Sequence, residues 1–294
     1  FGILWKRRFK SRNTNFFRKR VKNMKNSNLY LIPTPIGNYD DITIRALKTL
    51  ELVDIILCED TRETGKLLAN YNIKKRLISC HDHNEDKMCD KIIELLKNDN
   101  NLGLVTDQGT PIISDPGYKV VEYVTKKGYN VISLPGPTAF VPALTLSTLS
   151  PQPFLFYGFL NAKDTKQKRE LDNLKNYPFT IIFYESPKRL EETLKNMLEI
   201  FGNRKIAIVR ELSKKYEETI RGNIKEILVN YKELKGEIVL VVEGVKQNFQ
   251  DLSINQHVDL YIQDNLSLND AMKKVAKERG IPKSIVYKEY HQNK

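Results

Sequence analysis

The segment "LYLIPTPIGNYDDITIRALKTL", Leu29 to Leu50, constrains the fold most. An apolar run stops at a short Pro-Gly loop, and an amphipathic helix pattern starts, capped by Asp40 or Asp41. The unit recurs as "DIILCED" with "TRETGKLLANY", "RLISC" with "DKMCDKIIELLKN", "LGLVTD" with "YKVVEYVTKKG", and "NVISLPG" with "TAFVPALTLSTL". Strands alternating with helices at this spacing define an α/β domain. Loops at the carboxyl ends of such strands are where open α/β sheets bind ligands. The loop "TPIGN" has one glycine, Gly37, where a dinucleotide fingerprint has three and a P-loop has Gly-Lys-Ser/Thr. Gly37 either lets a ligand approach the backbone or satisfies a tight turn, and a ligand held there would need no phosphate cradle.

At "SPQP", Ser150 to Pro153, the rhythm changes. The strands "FLFYGFL" and "FTIIFYES" flank a polar helix, and the helix "KRLEETLKNMLEIFG" follows. The strand "KIAIVREL", a short strand "EETIRG", the helix "IKEILVNY" and the strand "EIVLVVEG" complete this part. The predicted organisation is an α/β domain over 28–149, a second over 150–244, a polar linker over 245–264 and a small helical domain over 265–294. In the last, Gly280 breaks one helix and Pro282 with Ser284 starts another, a helix-turn-helix spacing.

The net charge of +12 sits mainly at one end. Residues 1–25 hold ten of the 48 Lys/Arg and no acid, which leaves 38 against 36 elsewhere. We read 1–27 as a basic extension, disordered or not native, with Met24 as the expected start. A transit peptide or an RNA-binding arm are the other readings of it. No stretch reaches the length of a membrane helix. Cys58, Cys80 and Cys89 form no CxxC pair, which suggests a reducing compartment without a structural disulfide.

Acids cluster at two strand ends. Glu59, in "CED", lies 22 residues after Gly37, near where a Rossmann acid would hold a ribose hydroxyl. Asp60 and Thr61 serve equally well as helix caps. "TDQGTPIISDPG" places Asp107 and Asp115 in a long, stiff loop, as candidate ligand or acid/base groups. His81 and His83 have no third His or Cys at ligand spacing, so a polar loop is expected there and no metal. No G-x-S-x-G and no Walker lysine occur, against hydrolase and NTPase readings.

Taken in order, these motifs, with "SCHDHNE", "LPGPTA", "FYESPKRL", "REL" and "GEIVLVVEG", resemble one family from about Leu29 to Gly244. It is the 16S rRNA cytidine 2′-O-methyltransferases of the tetrapyrrole-methylase fold group. The resemblance implies two consecutive α/β domains with a cofactor cleft between them, plus the small helical C-terminal domain. The implied cofactor is S-adenosyl-L-methionine, which carries no phosphate. Pro35, Gly37, Asp107, Gly109, Thr110, Pro111, Pro137 and Thr138 would bind it. A ribose 2′-hydroxyl would need a base, with Glu59, Asp60, Asp107 and Asp115 as unresolved candidates. Arg62, Lys163, Lys168, Arg169, Lys188 and Arg189 would meet phosphates. The implied partner is 16S rRNA within the 30S subunit, the place of action the cytoplasm and the assembly a homodimer. Gln108 departs from the family pattern, which has a small residue there. The alternatives are a tetrapyrrole methyltransferase of the same fold, a nicotinamide dehydrogenase, which lacks its glycines here, and a non-enzymatic nucleic-acid-binding protein.

Overall fold

The computed structural model describes residues 27–81, 84–245, 252–263 and 265–292. The basic extension and His83 fall outside the described residues, apart from Ser27. Five strands form the first sheet: β1 (Asn28–Leu31), β2 (Ile55–Cys58), β3 (Arg76–Ser79), β4 (Leu102–Leu104) and β5 (Asn130–Ser133). They are all parallel, in the order β3-β2-β4-β1-β5. Helices α1 (Ile44–Leu52) and α2 (Thr61–Asn70) cover one face, α3 (Glu85–Lys97) and α4 (Tyr118–Lys126) the other.

This two-sided cover explains the uninterrupted apolar runs. Leu29, Leu57 and Leu102 face α3 and α4, while Ile32, Ile56 and Leu50 face the opposite core. All six are fully buried, each contributing about 1.5–3 kcal/mol. The cap of α1 differs from expectation. Thr43 Oγ1 accepts the Ala46 N–H at 3.0 Å, whereas Asp40 and Asp41 lie in a 3₁₀ turn. An N-cap must be extended and sit directly before the helix, and Thr43 meets both conditions.

The chain leaves β1 toward β2 and β4 toward β5, so connections from these neighbouring strands run opposite ways. That point is the topological switch where ligands bind in such sheets. The two loops above it are joined: the Thr34 N–H donates to Gly109 O at 2.8 Å, and the Gly109 N–H to Thr34 O at 3.1 Å.

The second sheet contains β6 (Phe154–Phe159), β7 (Thr180–Glu185), β8 (Lys205–Arg210), β9 (Glu218–Asn223) and β10 (Ile238–Val242). Its order is β6-β7-β10-β8-β9, antiparallel except for β6 with β7. Helix α5 (Phe140–Leu146), assigned from sequence to the first domain, packs instead on this sheet. Its Ala143 and Leu144 meet Ile182, Ala207, Val209, Val239 and Val241. Ile36, from the first loop, joins the same cluster, and the two sheets belong to one compact unit. Helices α6 (Asp164–Leu174), α7 (Leu190–Phe201) and α8 (Ile224–Val229) complete it.

A separate unit holds α9 (Ile254–Gln263), α10 (Leu268–Arg279) and α11 (Lys283–Gln292). The expected polar linker over 245–264 is thus helical in its second half. Val258 and Tyr261 of α9 are buried against Ala271, Met272, Val275, Val286 and Tyr290. Ser267 caps α10, and left-handed Gly280 ends it where the sequence placed the break.

Candidate active site

A cavity of about 530 Å³ lies above the switch point, its walls drawn from both sheets. Ile36, Gln108, Gly109, Thr110, Ser114 and Asp115 come from the first two loops, Thr138 and Ala139 from the loop after β5. The second sheet adds Phe159, Tyr184, Glu185, Val209, Glu211, Leu212, Lys214, Glu237 and Val239.

Local backbone geometry shapes these walls. Gly109 has φ +85° and Ser114 φ +65°, in the loop after β4. Glu211, after β8, has φ +50°. Non-glycine residues held there cost roughly 1–3 kcal/mol each and gather at ligand sites. Thr110 Oγ1 donates to Pro137 O at 2.8 Å and fixes the second loop to the third. Phe159 and Tyr184 stand edge to face, centroids 5.5 Å apart. Burial pushes the Tyr184 phenol upward, while its hydrogen bond with Thr138 acts the other way.

The charged lining is mostly acidic. Asp115, Glu211 and Glu237 line the cavity with one ammonium, Lys214, which pairs with Glu211 at 3.3 Å and Glu237 at 3.1 Å, while the Glu185 carboxylate is turned to Arg189 and Thr193. Aromatic and aliphatic walls with a surplus of carboxylates suit an organic cation carrying a flat ring. Sequence reasoning missed the three glutamates. Glu185 ends the apolar strand "TIIFYE", the same signal that singled out Glu59.

Of the expected cofactor residues, Gly109, Thr110 and Thr138 line the cavity. Pro35, Gly37, Asp107, Pro111 and Pro137 do not. Gly37 is exposed, and what approaches it is protein: an added β-carbon would overlap Cγ of Lys214 and stand 2.9 Å from its Cε. The four base candidates separate as well. Asp115 is on the cavity wall. The Asp60 N–H donates to Asp107 Oδ1 at 3.3 Å, and Glu59 precedes them at the end of β2. Asp60 caps α2 and pairs with Arg62 at 2.6 Å, and hydrogen bonds from Arg62 hold its carboxyl at about 2. Burial instead raises Asp107.

The expected phosphate contacts do not converge. Arg62 pairs with Asp60, and Lys168 pairs with Glu199 at 2.8 Å. Lys163, Arg169 and Lys188 are exposed on the second sheet's periphery. Arg189 is turned inward: its Nη2 donates to Leu160 O at 2.8 Å, and its Nε lies 3.2 Å from the buried Glu185 carboxylate. Glu185 also accepts from Thr193 Oγ1 at 2.7 Å, and Gln167 and Asn196 continue this buried network. Arg189→Ala would strand the Glu185 charge. It is expected to lower stability by about 3 kcal/mol, read from urea unfolding. Unchanged stability would return Arg189 to the role of a surface contact.

Cys58, Cys80 and Cys89 are free and buried, and burial pushes the Cys80 thiol up to about 12, far from a reactive thiolate. Among the described residues no His, Cys, Asp and Glu cluster could hold a metal, and no helix is long and apolar enough to cross a membrane.

The chain belongs to the tetrapyrrole methylases: residues 28–228 match the family described as Tetrapyrrole (Corrin/Porphyrin) Methylases. Within it, the chain is similar to proteins named ribosomal RNA small subunit methyltransferase I. It is 48% identical to that of Bacillus subtilis over 90% of this chain and 94% of that protein. It is 44% identical to that of Rickettsia prowazekii over 82% and 87% respectively. Solved structures share the fold. A cobalt precorrin-4 methyltransferase matches with TM-score 0.58 and 18% identity, over 75% of this chain and 97% of that one. A Thermus thermophilus uroporphyrin-III C-methyltransferase, complexed with S-adenosylhomocysteine, matches with TM-score 0.55 and 16% identity, over 74% and 97%.

Proposed function

We propose that this protein transfers a methyl group from S-adenosylmethionine to the ribose 2′-hydroxyl of a decoding-region cytidine of 16S rRNA, on the small ribosomal subunit. It acts in the cytoplasm, as a homodimer. The observation that carries this reading is the near full-length similarity to the Bacillus subtilis protein, whose name gives small-subunit rRNA as the substrate. The cavity supports the donor: its acidic and aromatic lining suits a sulfonium and an adenine, and it contains no P-loop.

S-adenosylmethionine supplies an electrophilic methyl group with a neutral thioether as leaving group. The chain must align the acceptor and take its proton. Asp60 is a weak base at about 2 and is committed to its cap and Arg62. Asp107 holds the Asp60 N–H away from the cavity wall. Of the four carboxylates considered from sequence, Asp115 is the one placed in the cavity, and we assign it the proton-accepting role. Glu185, locked by Arg189 and Thr193, anchors the end of β7 that carries Tyr184.

Purified protein with labelled methyl donor should be offered unmodified 30S subunits, naked 16S rRNA and a uroporphyrin-type ring. Label in the subunits is expected. Label only in the ring would replace this reading with the tetrapyrrole one, and equal label in naked RNA would remove the requirement for assembly.

A further inference from the structure

A second space of about 600 Å³ opens beside the donor cavity, and the two share Lys214. Ile36 belongs to the cavity and its neighbour Gly37 to this groove, so the Lys214 stem lying over Gly37 is the partition between them. The groove lies between the 3₁₀ turn after β1 and the loop after β8. Its side chains are polar or aromatic: Asn38, Tyr39, Asn70, Ser213, Lys214 and Lys215, with Asp40 at its edge.

We propose that this groove is the acceptor subsite, where the target nucleotide of a single-stranded RNA segment is held. The assignment rests on the methyl-transfer reading above and supplies its missing half. A methyl acceptor must reach the donor, so its site has to adjoin the donor cavity; this groove shares a side chain with it. Its chemistry matches an unstacked nucleotide. The Tyr39 ring is 47% exposed and is braced edge-on by Tyr71, with centroids 6.1 Å apart. It offers a stacking face of the kind that holds splayed bases. The exposed Lys215 places an ammonium group for a backbone phosphate, while Lys214 is held by Glu211 and Glu237. Asp40 supplies an acceptor of the type that reads a cytosine amino group. A porphyrin plate would need broad apolar walls, which this groove lacks. None of these residues belongs to the basic set that the sequence had suggested for RNA.

The test uses the full chain with Tyr39→Ala, Tyr39→Phe and Lys215→Glu. Tyr71 bonds the backbone carbonyl of Tyr39 at 2.6 Å, so removing the ring spares that contact, and Lys215 is exposed. Steady-state methylation is measured against 30S concentration, and S-adenosylmethionine affinity by calorimetry. Tyr39→Ala and Lys215→Glu are expected to raise the KM for subunits by about tenfold, with donor affinity unchanged. Tyr39→Phe should behave as the parent does, since it keeps the ring. An unmoved KM in both variants, with an active parent, overturns the groove assignment alone. So does an equal loss of donor affinity, which would mark a structural role. An inactive parent overturns the functional reading, and this inference with it.

Discussion

Asp115→Asn is expected to lower kcat for methyl transfer to the small subunit by about 10²–10⁴-fold, the range of a lost general base. Donor affinity should fall far less than the rate, because asparagine keeps the volume and Glu211 and Glu237 still hold negative charge at the cavity. Asp60→Asn is the matched control. Asparagine caps a helix as well as aspartate does, so α2 stays capped and the rate should hold. A large loss in Asp60→Asn with none in Asp115→Asn would move the chemistry to the cluster at the ends of β2 and β4.

Gly236→Val is expected to empty the donor cavity of its ligand. Gly236 has φ +90°, and a β-carbon there would overlap the carboxylate of Glu211. That carboxylate accepts the Glu237 N–H at 3.1 Å and pairs with Lys214, so displacing it disturbs three cavity residues at once. The backbone strain alone costs roughly 1–3 kcal/mol. Donor affinity should fall by about tenfold or more in calorimetry, with the far-ultraviolet spectrum retained. Gly128→Val separates the two causes. It carries similar strain at φ +78°, but it lies off the cavity and its β-carbon would meet nothing within 4 Å. An equal loss in both variants would leave strain as the whole explanation.

The first sheet was legible because its strands are buried on both faces and its helices are amphipathic, so periodicity reported each element. The allegiance of α5 was not. The apolar stripe of Phe140, Ala143 and Leu144 says that the helix is covered, not which sheet covers it. Helix α9 was hidden by its composition, since only Ile254, Val258 and Tyr261 mark its inner face among polar residues. In the site, the loop after β4 was legible from its density of Gly, Pro and Asp. The glutamates of the opposite wall were not, because they approach only when two sheets distant in sequence close on each other. Gly37 shows the same limit. Its lack of a side chain was clear, but not that the Lys214 stem lies over it.

The protein is expected to methylate a ribose on the assembled subunit. The most direct measurement incubates the protein and S-adenosylmethionine with unmodified 30S subunits, then locates the new methyl group by nuclease digestion and mass spectrometry. The expected result is one added methyl on the ribose of a single decoding-region cytidine, lost when Asp115→Asn replaces the parent protein. A methyl on a base, or subunits left unmodified while a tetrapyrrole is methylated, would contradict it.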